Sequence, residues 1–234
     1  MLKADFHIHT AEDTFVRGKS TAKEVIDTYS SLGYNVIGIT NKDKVLFNPE
    51  LKKYAESKGI LLLPGIETKI YGKEILIINA PLGTPNNITF NQLKELHKKN
   101  TLIIAPHLYF VRKDCLKNNI HKYINHVDAI EHSHFYHPIC NLNKKAIRIA
   151  KKYNKPLIGT SDYTRFNCQI NKNYTLIDSK KDINSIFKAI KNKKSKLITK
   201  PLKFKHFFEI GFVTSFHVIK KEIKQLLSKP PKHL

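Results

Sequence analysis

Cysteine is scarce: Cys115, Cys140 and Cys168 are the three in 234 residues. An odd number without CxxC spacing excludes a disulfide framework and suits a reducing compartment. Each reads as a small hydrophobe rather than a nucleophile. No apolar run approaches the roughly 18 residues that mark a membrane-spanning helix. The chain enters a strand-like pattern at Leu2, leaving no room for a secretory signal, so cytoplasmic residence is the expectation. Internal repeats are lacking too. Acidic residues are few: 19 Asp plus Glu face 41 Lys plus Arg, a formal charge of +22. Arginine contributes little to that excess, at Arg17, Arg112, Arg148 and Arg165 only. Two readings of the excess stand side by side. AT-rich codon usage inflates Lys, Asn and Ile, with charge serving solubility. A surface of this sign also attracts nucleotides, nucleic acid or anionic lipid.

What the chain does have is an apolar content of 41%, enough to build one sizeable core at this length. Strand-like runs fall at Leu2–His9, Asn35–Thr40, Ile60–Glu67, Glu74–Asn79, Thr101–Pro106, Val127–His132 and Pro156–Ser161. Most are continuously apolar, as strands covered on both faces are. Tyr71-Gly72-Lys73 reads as a hairpin turn, a local antiparallel excursion. Helices alternate with the strands: Thr21 with Glu24 and Thr89 with Gln92 form capping boxes, and 141–152 and 182–193 carry the helical period. Seven strands in β/α alternation predict a closed or nearly closed barrel over residues 1–200. Residues 201–234 form an added C-terminal segment. There Phe208, Phe212, Phe216, Ile219, Ile223 and Leu226 make one face of an amphipathic helix that packs on or beside the barrel.

The chemistry begins at Asp5-Phe6-His7-Ile8-His9-Thr10. Residues two apart on a strand share a face, so His7 and His9 project together and two imidazoles can grip one cation. An isolated HxH is weak, but the other candidates fall at the ends of strands. Glu67 closes Pro64-Gly65-Ile66-Glu67, His107 follows the fifth run, His132 and His134 follow the sixth, and Asp162 follows the seventh. In a β/α barrel those ends converge on one mouth, where active sites are built. Mixed imidazole and carboxylate donors suit zinc, manganese or iron. His97, His121, His126, His137, His206, His217 and His233 lie away from strand ends and read as ordinary.

Asp-x-His-x-His-Thr, Pro-Gly-Ile-Glu, a strand-end His and Thr160-Ser161-Asp162, in that order over about residues 1–180, resemble the polymerase-and-histidinol-phosphatase (PHP) superfamily. The resemblance implies a distorted (β/α)7 TIM-like barrel, two or three bound metals, and hydrolysis of phosphoesters. It implies that His7, His9, Glu67 and Asp162 hold one metal, and that Glu67 bridges to a second held by His107 and by His132 or His134, with His132 favoured. Three positions depart from the pattern. The second motif reads Thr40-Asn41-Lys42-Asp43, the last reads Ser161-Asp162-Tyr163-Thr164-Arg165, and Thr14 or Phe15 stands where a further ligand belongs. Those positions would hold a third metal, so a two-metal centre is expected. Lys42 then supplies a point charge in its stead, unless it is a solvated loop lysine. Arg165 is the candidate clamp on a phosphoryl oxygen, with Arg17 and Arg112 weaker ones, and Asp43 could orient Lys42 or accept a proton. The expected substrates are a phosphorylated small molecule or nucleotide. The alternatives are a nuclease acting on nucleic-acid ends and a non-catalytic RNA-binding barrel resembling the PHP-like protein subunit of RNase P.

Overall fold

The structure is a computed structural model, and it describes residues 1–16, 18–164 and 170–209. Helix starts are set by their caps. In α1 (Ala22–Ser31) the Thr21 side chain accepts from the backbone N–H of Glu24 while the Glu24 carboxylate accepts from that of Thr21. In α3 (Phe90–Lys98), Thr89 and Gln92 do the same. Helix α2 (Pro49–Ser57) was not expected from the sequence. Only Leu51 and Ala55 of it are buried, too short a stripe to stand out among its lysines, yet the Asn48 cap and Pro49 start it cleanly. The remaining helices are α4 (Ile120–Tyr123), α5 (Asn143–Lys152) and α6 (Ile183–Lys191).

The strands form one barrel-shaped sheet. Strands β1 (Leu2–Ile8), β2 (Val36–Ile39) and β3 (Leu61–Ile70) run parallel. Strand β4 (Lys73–Ile78) returns antiparallel beside β3 through the two-residue turn Tyr71-Gly72. Both turn residues have positive φ (47° and 76°), the twist that a tight hairpin requires. A two-residue strand, β5 (Asn87–Ile88), pairs with the end of β3. Strand β6 (Leu102–Ala105) is antiparallel to β4, and β7 (Ala129–His132) and β8 (Leu157–Gly159) continue parallel to it. One consequence governs the site: β4 alone among the seven barrel strands starts at the mouth where the others end.

The seam is closed by an antiparallel strand pair, connected through α6, that was not expected from the sequence. Strand β9 (Asn173–Ile177) lies antiparallel beside β1, and β10 (Ser195–Thr199) beside β9. Strand β8 meets this pair through side chains. Gly159 N–H donates to Thr175 Oγ1 at 3.0 Å, the Thr175 hydroxyl donates to Gly159 O at 2.9 Å, and Asn173 Nδ2 donates to Thr160 O at 2.8 Å. A Cβ on Gly159 would meet the Tyr174 backbone at 2.8–2.9 Å and Leu197 Cδ1 at 2.7 Å, so only glycine permits this approach.

Every barrel strand and β9 contribute to the interior core, among them Ala4, Phe6, Val36, Leu63, Leu76, Ile104, Ala129 and Ile158, and Ile186, Phe187 and Ile190 of α6 join it. Two further clusters seat the other helices on the outer wall. Strand β1 passes between environments. Ala4 and Phe6 belong to the interior core, but Ile8 belongs to the outer cluster with α1. The reason is a bulge: Asp5 pairs with Ile37 and Ile8 with Ile39, three steps on β1 against two on β2. The extra residue inverts the in–out alternation and aims His7 and His9 inward.

Residues 204–209 are helical, and Phe207 stacks on Phe135 with centroids 4.7 Å apart. The rest of the expected amphipathic helix lies outside the described residues. Among the described residues no helix is long and apolar enough to cross a membrane.

Candidate metal centre

Five side chains from four segments of the mouth meet with their donor atoms nearly in contact. His7 Nε2 lies 3.3 Å from His9 Nε2, 3.6 Å from Glu67 Oε2 and 3.4 Å from Asp162 Oδ1. His9 Nε2 lies 3.3 Å from Glu67 Oε2 and 3.6 Å from Asp162 Oδ1. His107 Nε2 lies 3.3 Å from Glu67 Oε1. Ligands about 2.0–2.1 Å from one tetrahedral ion are separated by about 3.3–3.4 Å, so each pair is spaced as neighbouring ligands are. Two groups offer a metal three donors each: His7, His9 and Asp162, and His7, Glu67 and His107. Glu67 presents one oxygen to each side.

Each histidine is oriented from behind. His7 Nδ1 donates to Glu131 Oε2 at 2.7 Å and His9 Nδ1 to Asp13 Oδ2 at 2.8 Å, so both Nε2 lone pairs face the cluster. The third imidazole, His107, has Cys115 Sγ 3.4 Å from its Nδ1, and its backbone N–H donates to Glu131 Oε1 at 3.1 Å. His107 and Asp162 hold φ of 27° and 47°, a backbone region that costs a non-glycine residue about 1–3 kcal/mol. The surrounding packing imposes it, and in both cases the strained residue is one that carries a donor.

The electrostatics are those of a site dense in negative charge. Asp5, Asp13, Glu67, Glu74 and Glu131 are all buried, whereas the nearby Lys42 and Arg112 are only partly so. Burial opposes ionisation of Glu67, but Lys42 and the three histidines hold it well below the ordinary carboxylate range. Asp162 is held down to about 2 against its burial, chiefly by His7 and His107. His7 is raised well above the usual imidazole value, burial notwithstanding, because Asp162 and Glu131 flank it. Burial pushes Asp5 up to about 6, although Ser161, His7 and Tyr29 hydrogen-bond to it.

Other candidates are distributed less evenly. Lys42 is inside the cluster and not in solvent: its Nζ sits 3.0 Å from Glu67 Oε2 and in contact with Glu74 Oε1. Asp43 does not orient it; the contact of Asp43 is Thr14 N–H at 3.4 Å. Asp13, which could have helped a third cation, instead receives His9, the Lys42 backbone N–H at 2.9 Å, and Phe15 and Val16. His132 and His134 sit differently with respect to the cluster. Glu131 points inward to His7, so its strand neighbour His132 points away and packs on Tyr136, with ring centroids 5.1 Å apart. His134 is buried among the cluster's charges, where Asp162 and Glu131 act on it against the downward pull of burial. Arg165 and Arg17 lie outside the described residues.

Two residues went unnoticed in the sequence. Glu131 stood inside a motif read for its histidines, and strand alternation alone would have set it opposite His132. Glu74 opens β4, and its place at the mouth follows only if the hairpin before it is taken seriously. It touches Lys42, receives Arg112 Nη2 at 2.5 Å, and lies 3.7 Å from His107 Nε2. Arg112 in turn grips Asp114 with two bonds, of 2.9 and 2.8 Å.

No family model matches this chain, and no curated protein matches it in sequence. Solved structures do. A two-domain protein of Bacteroides vulgatus containing a predicted PHP-like metal-dependent phosphoesterase superposes with a TM-score of 0.66 at 20% identity, over 85% of this chain and 64% of that one. The lesion-specific endonuclease PfuEndoQ of Pyrococcus furiosus gives 0.59 at 17% identity, over 84% of this chain and 57% of that one. A putative metal-dependent phosphoesterase of Bifidobacterium adolescentis gives 0.54 at 13%, over 68% and 87%. This chain thus spans less than two thirds of the first two. The chain shares the barrel fold of these structures.

Proposed function

We propose that this chain is a metal-dependent phosphoesterase that hydrolyses a phosphomonoester or phosphodiester at a two-cation site. The observation that carries the reading is the set of donor separations of 3.3–3.6 Å among His7, His9, Glu67, His107 and Asp162. His7, His9 and Asp162 would hold one cation, and Glu67 would bridge to a second held with His107 and His134. Zinc, manganese and iron all accept such donors. When bound, the cations would supply hydroxide from water near neutral pH and neutralise charge on the phosphoryl oxygens.

The chain's own groups prepare that chemistry. Glu131 and Asp13 accept from Nδ1 of His7 and His9, which aims each Nε2 at the cluster. An ammonium has three donors; Glu67 and Glu74 take two from Lys42, and the third can serve a phosphate oxygen as a point charge. Arg112 is committed to Glu74 and Asp114, and Arg165, with Arg17 as the weaker candidate, is our choice for the clamp. A nucleic-acid substrate is the second reading, favoured by the +22 charge and by the similarity to a lesion-specific endonuclease.

The test is elemental analysis of purified protein joined to a panel of phosphomonoesters, nucleotides and oligonucleotides under Mn²⁺ and Zn²⁺. About two equivalents of metal and turnover of one substrate class, lost in His7→Ala, are expected. Metal-free protein that binds RNA without cleaving anything would refute the enzymatic reading. End-dependent cleavage with binding that falls steeply as salt rises would select the nuclease.

A further inference from the structure

We infer that Glu74 is itself a ligand of the second cation, held ready for that role by Lys42 and Arg112. This rests on the metal-centre reading above and adds to it a residue outside the motifs. The two carboxylates Glu67 and Glu74 are shared by two partners in a crossed fashion. Lys42 Nζ takes Glu67 Oε2 and Glu74 Oε1, and Arg112 Nη2 also takes Glu74 Oε1. The other oxygens, Glu67 Oε1 and Glu74 Oε2, both lie against His107 Nε2, at 3.3 and 3.7 Å. The first matches neighbouring ligands of one ion, and the second is longer by an amount that a small side-chain shift on binding would close. Glu74 is 1% exposed, and its Oε2 accepts no hydrogen bond among the described residues. A buried carboxylate oxygen left in that state carries a desolvation cost that a cation bound with His107 would offset.

The topology explains the placement. Glu74 begins the one barrel strand that runs against the others, so its side chain reaches the mouth from the N-terminal end of β4. A plain counter-ion for Lys42 and Arg112 would need only Oε1. The position of Oε2 beside an imidazole nitrogen, itself backed by Cys115, marks a ligand that is aimed.

The experiment measures metal equivalents after dialysis, and Mn²⁺ affinity by competition with a chelating dye, in wild-type protein, Glu74→Gln and Glu74→Asp. Glu74→Asp keeps the charge that Lys42 and Arg112 need but withdraws the oxygen from His107. Both variants should keep the first equivalent and bind the second more than ~10-fold more weakly. Unchanged affinity for the second equivalent in Glu74→Asp, with the fold intact by circular dichroism, overturns the inference and leaves the phosphoesterase reading standing. A wild-type chain that holds a single equivalent overturns it as well, because the second position is then not occupied. Wild-type protein that holds none overturns both.

Discussion

Divalent metal should raise the thermal stability of this chain by an amount that the site's construction allows one to work out. The donors at residues 7, 9, 67, 107 and 162 are brought to 3.3–3.6 Å of one another only by folding, so the unfolded chain offers no comparable site. An ion that binds only the native state stabilises it by about 2.7 kcal/mol at a free concentration of 100 times Kd, and two independent ions by about twice that. A domain of this size gains about 2–4 °C per kcal/mol. One ion is then worth about 5–11 °C and two about 11–22 °C. The assay is a thermal melt followed by circular dichroism, with chelator-treated protein compared against protein in excess Mn²⁺ or Zn²⁺. His7 belongs to both donor groups, so His7→Ala should abolish most of the rise. An equal rise in His7→Ala would place the ions elsewhere on the molecule, and no rise in the wild type would refute a preformed centre.

Three further outcomes follow from particular contacts. Glu131→Gln weakens the acceptor that fixes the His7 tautomer, so metal affinity should fall about 10–100-fold, as read by chelator competition; unchanged affinity would remove Glu131 from the centre. His134→Ala should lower metal content while His132→Ala should not, since Asp162, Glu131, His7 and His107 all act on the former and Glu131 alone of these on the latter; elemental analysis showing the reverse pattern would restore His132. Gly159→Ala forces a Cβ into the Tyr174 backbone at the barrel seam and should destabilise by about 1–3 kcal/mol, measured by urea denaturation, with metal stoichiometry retained in the folded fraction.

The seven barrel strands and the side chains that gather at their mouth are legible in the sequence, for reasons that are local. Continuous apolar runs mark covered strands, the capping boxes at Thr21 and Thr89 mark helix starts, and His7, His9, His107 and Asp162 sit at or just past strand ends, whereas Glu67, read as a strand end, lies inside β3, which runs on to Ile70. The seam strands β9 and β10 were not legible. Strand β9 reads Asn-Tyr-Thr-Leu-Ile, with Asn173 and Thr175 facing the seam as hydrogen-bonding groups, so the apolar signal of a covered strand is diluted. Strand β10 has no fully buried residue at all.

By itself, then, the amino-acid order determined a β/α barrel and named the imidazoles and carboxylates at its mouth, because strand ends and side-chain period are properties of neighbouring residues. Only the tertiary structure decided which atoms meet. The bulge in β1 that turns His7 inward depends on pairing with β2, and the outward turn of His132 depends on Glu131 reaching across to His7. The arrival of Glu74 depends on a strand running backwards between β3 and β6. Each is a relation between segments distant in the chain, set by hydrogen-bond register and packing, to which no single stretch of sequence is sensitive.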